Sequence, residues 1–411
     1  MKSGTFESRL LVLVTLGLVA FGLVMVYSAT SAPAALAQTD PMSYLKKQGI
    51  YAFIGVMFMM AATRFDYRRL RAVAPSLLLI ALFLCVAVLG IGARVNGARR
   101  WIAFGSATFQ PSEFAKLALA VWVAAHLSRR RAPKTIKDLW RPIGMVLCVF
   151  CALILAEPDL GTAIAIVIVV GVVLLVSGTP ARTLTFGASI IGGLGLAAIV
   201  FSPYRRARFF SFLHPWHDAL GAGFQTVQAM IGLASGGLFG VGLGQGVIKD
   251  NYLPEAHTDM IMAVIGEELG LVGVAAVITA FAAFAYAGLR IGLACKDPFG
   301  KRLAAGLVAL VAGQALINLA AVLGLAPLTG IPLPFISYGG SSLVVALLSV
   351  GILLNIANGH GAQRRVAVPD RGRGDGGTRA AVARRGGGVD RTRRARDVRR
   401  VAGSRRGAAR S

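Results

Sequence analysis

Residues 261–287 read IMAVIGEELGLVGVAAVITAFAAFAYA, and their only charges are Glu267 and Glu268. A helix of that length is about 40 Å long, more than the roughly 30 Å hydrocarbon core of a bilayer. Such a stretch reads as a membrane span. The pattern recurs at 10–28, 48–63, 73–92, 113–128, 143–156, 160–177, 184–201, 303–323 and 341–358, which predicts an all-α integral membrane protein of about ten transmembrane helices. The fifth run is short and only EPDLG separates it from the sixth, so nine spans or a re-entrant element there stay open. Composition agrees, since 15% of the residues are charged against about a quarter in soluble proteins. The alternating ten-residue strands of a barrel are absent from the sequence.

Basic residues set the direction of the spans. Arg64, Arg68, Arg69 and Arg71 follow the second run; Arg129, Arg130, Arg131, Lys134, Lys137 and Arg141 follow the fourth; Arg290, Lys296, Lys301 and Arg302 follow the eighth. These loops and both termini are expected in the cytoplasm. Outside fall 29–47, 93–112, EPDLG, 324–340 and a large extracytoplasmic loop, 202–260, between helices 7 and 8. SAPAALAQ after the first run is like a signal-peptidase site, but the run is long for a signal peptide and reads as a retained helix.

The chain divides into a membrane domain, 1–358, and a tail, 359–411. The tail has sixteen arginines, four aspartates and almost no large apolar residues, so it cannot bury a core and is expected to be disordered. Much of the net charge of +25 therefore belongs to a cytoplasmic extension suited to anionic lipid heads, and nucleic acid is not the expected partner. Cys85, Cys148, Cys151 and Cys295 form no framework, and the Cys148/Cys151 pair lies in an apolar helix without a second pair. His214 and His217 flank Pro215 and lack further ligands, so no metal site is assigned.

The polar segments gather on the expected outer side. In GARVNGARRWIAFGSATFQPSEFAK, Glu113 and Lys116 are spaced to pair on one helix face, as a packing salt bridge or in a direct role. Arg99 and Arg100 beside Trp101 suit either interface anchoring or an anionic lipid phosphate. Asp159 in AEPDLGTA suits a helix cap or a site role. Arg205, Arg206 and Arg208 open the long loop. In YLPEAHTDMIMAVIGEELG, a helix starting near His257-Thr258-Asp259 places Asp259 at the membrane surface and Glu267 and Glu268 about 12–13 Å deeper. A partly desolvated carboxylate at that boundary is poised for base chemistry, whereas Glu267 and Glu268 are expected to pair with basic groups inside the bundle.

VNGARRWIAFG with QPSEFAK, EPDLGTA, GFQTVQAMIGLASGGLFGVGLG, YLPEAHTD with GEELGLVG, and PLTGIPLPFISYGGSSL together resemble the SEDS family of FtsW, RodA and the sporulation relative. The resemblance spans about 10–358 and is greater to the cell-division member, although Met260 and Met262 stand where the family usually has phenylalanines. It implies a peptidoglycan glycosyltransferase that polymerises lipid II at the outer face of the cytoplasmic membrane, at the division septum. The expected partners are a class B penicillin-binding protein, other division proteins and membrane lipids. Asp259 matches the family's essential aspartate and would be the general base in an inverting displacement with undecaprenyl pyrophosphate as leaving group. Candidate cations for the pyrophosphate are Arg99, Arg100, Lys116, Arg205, Arg206 and Arg208. Trp101, Glu113, Asp159 and His257 would shape the cleft, and Ser337 and Tyr338 lie in a broken-helix segment that would line it. No cofactor is assigned, and a divalent cation stays open as a helper. The alternatives are a lipid II flippase, a non-catalytic division scaffold and a RodA-type elongation polymerase.

Overall fold

A computed structural model describes residues 3–36, 40–95, 98–105, 107–249, 253 and 255–366. Each of the ten apolar runs folds as a helix. In chain order the helices are α1 (Ser3–Leu36), α2 (Ser43–Arg64), α3 (Leu70–Ile91), α4 (Pro111–Arg129), the one-turn α5 (Ile136–Leu139), α6 (Met145–Ala156), α7 (Leu160–Val176), α8 (Ala181–Val200), α9 (Pro203–Leu213), α10 (Phe224–Ser235), α11 (Ile261–Ala294), α12 (Pro298–Val322) and α13 (Gly340–Val366). Among the described residues, seven helical segments are long and apolar enough to cross a membrane: Phe6–Ser31, Tyr67–Ile91, Ile136–Ala156, Ala181–Val200, Ile261–Ala294, Pro298–Val322 and Gly340–Gly359. The shorter α7 and the more polar α2 and α4 hold the other three runs. The helix α13 continues past residue 358, and the tail from 367 onward lies outside the described residues.

Local chemistry explains where helices start. Pro111 opens α4 at a position where its missing N–H costs nothing. Asp159 caps α7, and the Asp297 carboxylate accepts from the N–H groups of Phe299 and Gly300 to cap α12. The α4, α12 and α13 helices are enclosed by their neighbours, whereas α8 is almost wholly peripheral. Close packing of α13 on α2 depends on Gly351, where a Cβ would lie 2.4 Å from the Met59 carbonyl oxygen.

Two departures from the sequence reading concern the connecting segments. The strands β1 (Ala93–Val95), β2 (Ala98–Phe104) and β3 (Ala107–Phe109) form a small antiparallel sheet with β2 in the centre. The stretch 202–260, expected as one outer loop, contains α9 and α10 and folds back along α11. The cause lies in α11 itself, which is broken at Gly270 (φ 65°, ψ −163°). This break takes Leu271 and Val272 away from the carbonyls of Glu267 and Glu268 that a continuous helix would offer them.

The hairpin after α10 supplies replacements on both sides. Val241 N–H donates to Glu267 O and Gly242 N–H to Glu268 O, both at 3.0 Å; Leu271 N–H donates to Gly237 O (2.9 Å) and Val272 N–H to Leu238 O (3.2 Å). Gly270 is nine residues from the start of α11, about 14 Å along its axis. The segment 224–249 is thus a short helix and a return strap whose irregular backbone is paired to the broken part of α11.

Side-chain clasps hold the strap. The Glu267 carboxylate accepts from the N–H groups of Val247 (2.9 Å) and Ile248 (3.3 Å). Lys249 Nζ lies 2.7 Å from Glu268 Oε1, with both side chains buried, and Ser28 of α1 donates to the same carboxylate at 2.7 Å. Of the two deep glutamates expected to pair with basic groups, Glu268 does so on Lys249, whereas Glu267 is held by the backbone N–H groups of Val247 and Ile248 instead, because the break in α11 brings the strap's unpaired amides against it.

Candidate active site

The end of the bundle at which α11 begins gathers polar groups from five parts of the chain. Asp259 is half-buried immediately before α11. Its carbonyl oxygen accepts from Asn318 Nδ2 at 2.7 Å, and the same nitrogen donates to Ile331 O at 2.8 Å. One amide therefore ties the Asp259 backbone to the 329–338 segment. The Asp259 carboxylate opens toward Gly330 (φ +71°), where an added Cβ would meet Oδ2 at 4.0 Å. Desolvation pushes this carboxyl above its ordinary range, and the Arg208 guanidinium and the Thr258 hydroxyl act in the opposite direction.

The neighbouring residues fix this mouth by backbone bonds. Tyr338 N–H donates to His257 O at 2.9 Å, and the His257 ring lies 4.7 Å from that of Tyr44 and 5.5 Å from that of Tyr338. Burial holds the His257 imidazole below its ordinary pKa. Ser337 Oγ accepts from Leu333 N–H at 2.8 Å and Ser337 O accepts from Gln48 Nε2 at 3.0 Å. Ser337 is therefore a turn-former, buried with its hydroxyl occupied.

Behind the mouth, Lys116 Nζ contacts Glu113 Oε1 (2.8 Å) and Gln314 Oε1 (2.6 Å), all three buried. Gln314 Nε2 in turn donates to Pro332 O (3.0 Å). Glu113 and Lys116 thus form a satisfied internal pair that braces the 329–338 segment. Asp159 Oδ1 accepts from Thr162 N–H (2.9 Å) and Oδ2 from Thr162 Oγ1 (2.8 Å), with Gln110 Nε2 at 3.4 Å from Oδ2. Both carboxylate oxygens serve the cap of α7.

The basic candidates separate by what they hold. Arg99 donates to Leu89 O (3.0 Å) and Gly90 O (2.9 Å) at the end of α3. Arg100 donates to Glu157 O (2.9 Å) and to Pro158 O at the end of α6. Arg205 donates to Leu155 O (2.7 Å) and Ala198 O (3.4 Å), joining α6 to α8. These three guanidiniums complement the carbonyl ends of helices. Arg206 is exposed on α9, Trp101 is half-buried on β2 opposite Ala93, and Arg208 reaches Gln225 Oε1 at 3.3 Å. Of the six, Arg208 is the cation whose field acts on Asp259. No three His, Cys, Asp or Glu side chains converge as a metal site among the described residues.

A family model described as cell cycle protein, covering FtsW, RodA and SpoVE, matches residues 8–361. The chain belongs to the FtsW/RodA/SpoVE family. A protein of Geobacter metallireducens named probable peptidoglycan glycosyltransferase FtsW is 42% identical over 351 residues, 84% of this chain and 93% of that one. Stage V sporulation protein E of Bacillus subtilis is 41% identical over 86% of this chain and 97% of its own. A solved structure described as structural coordination of polymerization and crosslinking by a peptidoglycan synthase complex aligns with TM-score 0.73 at 30% identity, over 85% of this chain and 97% of that one.

In this FtsW/RodA/SpoVE chain the sequence reading missed Gln48, Gln314 and Asn318. A signal for the last two was present, because they are the polar residues of an otherwise apolar run and stand i,i+4 on one helix face. Gln110, which touches Ser112, Asp159 and, through its N–H at 3.0 Å, Ser341, carried no such signal.

Proposed function

We propose that this protein is an inverting peptidoglycan glycosyltransferase that polymerises lipid II, with Asp259 as general base. The observation that carries the reading is the setting of Asp259: a half-buried carboxylate at the bundle end, its backbone locked by Asn318, its charge facing Arg208. Desolvation brings the carboxylate toward a useful basicity, and the cation retains enough ionised form for proton abstraction. The acceptor sugar 4-hydroxyl loses its proton to Asp259 as its oxygen attacks the anomeric carbon, and undecaprenyl pyrophosphate departs. A single displacement inverts the centre and requires one carboxylate, unlike the paired carboxylates of retaining glycosidases. Arg208, whose field acts on Asp259, is the cation we assign to the pyrophosphate.

The relatives named FtsW support a role in division, and the peptidoglycan synthase complex supports a cross-linking partner, a class B penicillin-binding protein. In this reading the Asp259 end faces outward at the septum and the arginine-rich loops and both termini face the cytoplasm. The deep charges count against the transporter reading, since Lys116 and Lys249 are held in buried ion pairs with Glu113 and Glu268. The test is glycan-strand formation from purified labelled lipid II, with the penicillin-binding partner present. Wild type should make polymer and Asp259→Asn none, with both equally folded. Absence of polymer in both, with Asp259-dependent movement of lipid II between leaflets, would replace the enzyme by the transporter.

A further inference from the structure

Thr258 Oγ1 has three oxygen acceptors around it. The Glu255 carbonyl is at 2.9 Å, Asp259 Oδ1 at 3.2 Å and Glu255 Oε2 at 3.5 Å. A threonine hydroxyl has one hydrogen to donate and lone pairs that accept. With both carboxylates ionised, at least one faces the hydroxyl lone pairs instead of its hydrogen. A proton on either carboxylate removes that mismatch by donating to Oγ1. The two carboxylates also differ in access to water: Asp259 is half-buried and Glu255 is exposed. Glu255 is held at positive φ (56°), a conformation rare for a side-chain-bearing residue and found where surrounding structure imposes it.

From this geometry we infer that Glu255 is a second catalytic carboxylate, which receives the proton from Asp259 through the Thr258 hydroxyl and so resets the base between sugar additions. The inference rests on Asp259 being the base. In the transfer step the acceptor oxygen bonds to the anomeric carbon, its proton goes to Asp259, and the pyrophosphate leaves with the bonding pair. Protonated Asp259 then donates to Thr258 Oγ1, which releases its own hydrogen to Glu255 Oε2. Asp259 returns to a carboxylate, and Glu255 becomes a carboxylic acid that yields its proton to water. The relay gives the half-buried Asp259 a route to water through the exposed Glu255. His257 and Arg208 are the other ionisable groups beside this path: burial keeps His257 neutral, and Arg208 favours the ionised form of Asp259.

The experiment measures steady-state polymerisation of lipid II by the full chain with its partner, for wild type, Glu255→Gln, Thr258→Val, Thr258→Ser and Asp259→Asn. Added formate serves as a diffusible proton acceptor. Glu255→Gln and Thr258→Val should each lower kcat about a hundredfold, the lower part of what proton-transfer groups contribute, with KM unchanged. Thr258→Ser, which keeps a hydroxyl, should turn over faster than Thr258→Val. Formate should restore Glu255→Gln and leave Asp259→Asn inactive. Wild-type kcat in Glu255→Gln, or a loss that formate leaves untouched, would overturn the relay while the base assignment stands. Polymer formation by Asp259→Asn would overturn the base assignment itself.

Discussion

At Asp259, desolvation and the field of Arg208 oppose each other, and this balance sets a pH dependence. With Asp259 as the proposed base, only its carboxylate can take the proton, so activity should fall as pH drops through a pKa raised above the ordinary carboxylate range. Arg208→Gln removes the opposing cation, so the acid limb of the kcat/KM profile should move to higher pH. The same substitution should lower kcat/KM on the plateau by about a hundredfold if the guanidinium meets the pyrophosphate. Glu157 gives a complementary case without catalysis. It is fully buried with both carboxyl oxygens unpartnered, and burial beside Asp159 pushes it up to about 8. The folded protein binds that proton more tightly than the unfolded chain, so its contribution is complete below the ordinary glutamate value and is lost as pH rises to about 8. Glu157→Gln, neutral at every pH, should therefore melt with wild type in acid, gain stability over it as pH rises, and keep a constant lead above about 8. A melting series in detergent across pH measures this directly.

At the scale of elements, the strap that leads into Asp259 is anchored at its base by Lys249 and Glu268. Lys249→Ala leaves a buried carboxylate without its cation and should cost about 3–5 kcal/mol. Replacement of both residues by apolar side chains of similar volume should recover most of that loss, and thermal melting of the single and double variants compares the two. Gly270→Ala should be more damaging, because φ +65° strains any side chain and the new Cβ would lie 2.4 Å from Gly240 N. The helices were legible in sequence because bilayer thickness imposes long apolar runs, and the start of α4 was legible from Pro111. The strap was not, because GGLFGVGLGQG has the glycine content of a surface turn and its hydrogen bonds depend on a break in α11 that 261–287 does not announce. For the site, YLPEAHTD pointed to Asp259. The roles of Arg99, Arg100 and Arg205 stayed hidden because their partners are backbone carbonyls at distant helix ends, and no side-chain pattern marks a carbonyl.

Across the whole molecule, the two ends of the bundle are different in kind. One end joins the start of α2, the small sheet, the turn between α6 and α7, Asp259 and the 329–338 segment through hydrogen bonds. The other joins α13 to the end of α2 and to Tyr67 through Asn355, and α12 to α7 through Arg302 and Ser177. The proposed chemistry uses none of the residues of the tail. Removal of residues 368–411, which leaves α13 entire, should retain polymerisation of lipid II in detergent while weakening binding to anionic vesicles. The division of α11 at Gly270 also bears on how the protein is made. The strap leaves the ribosome before the helix whose carbonyls it must bind. The strap can take its final backbone pairing only once α11 has been made, which makes this part of the fold a late step of biogenesis.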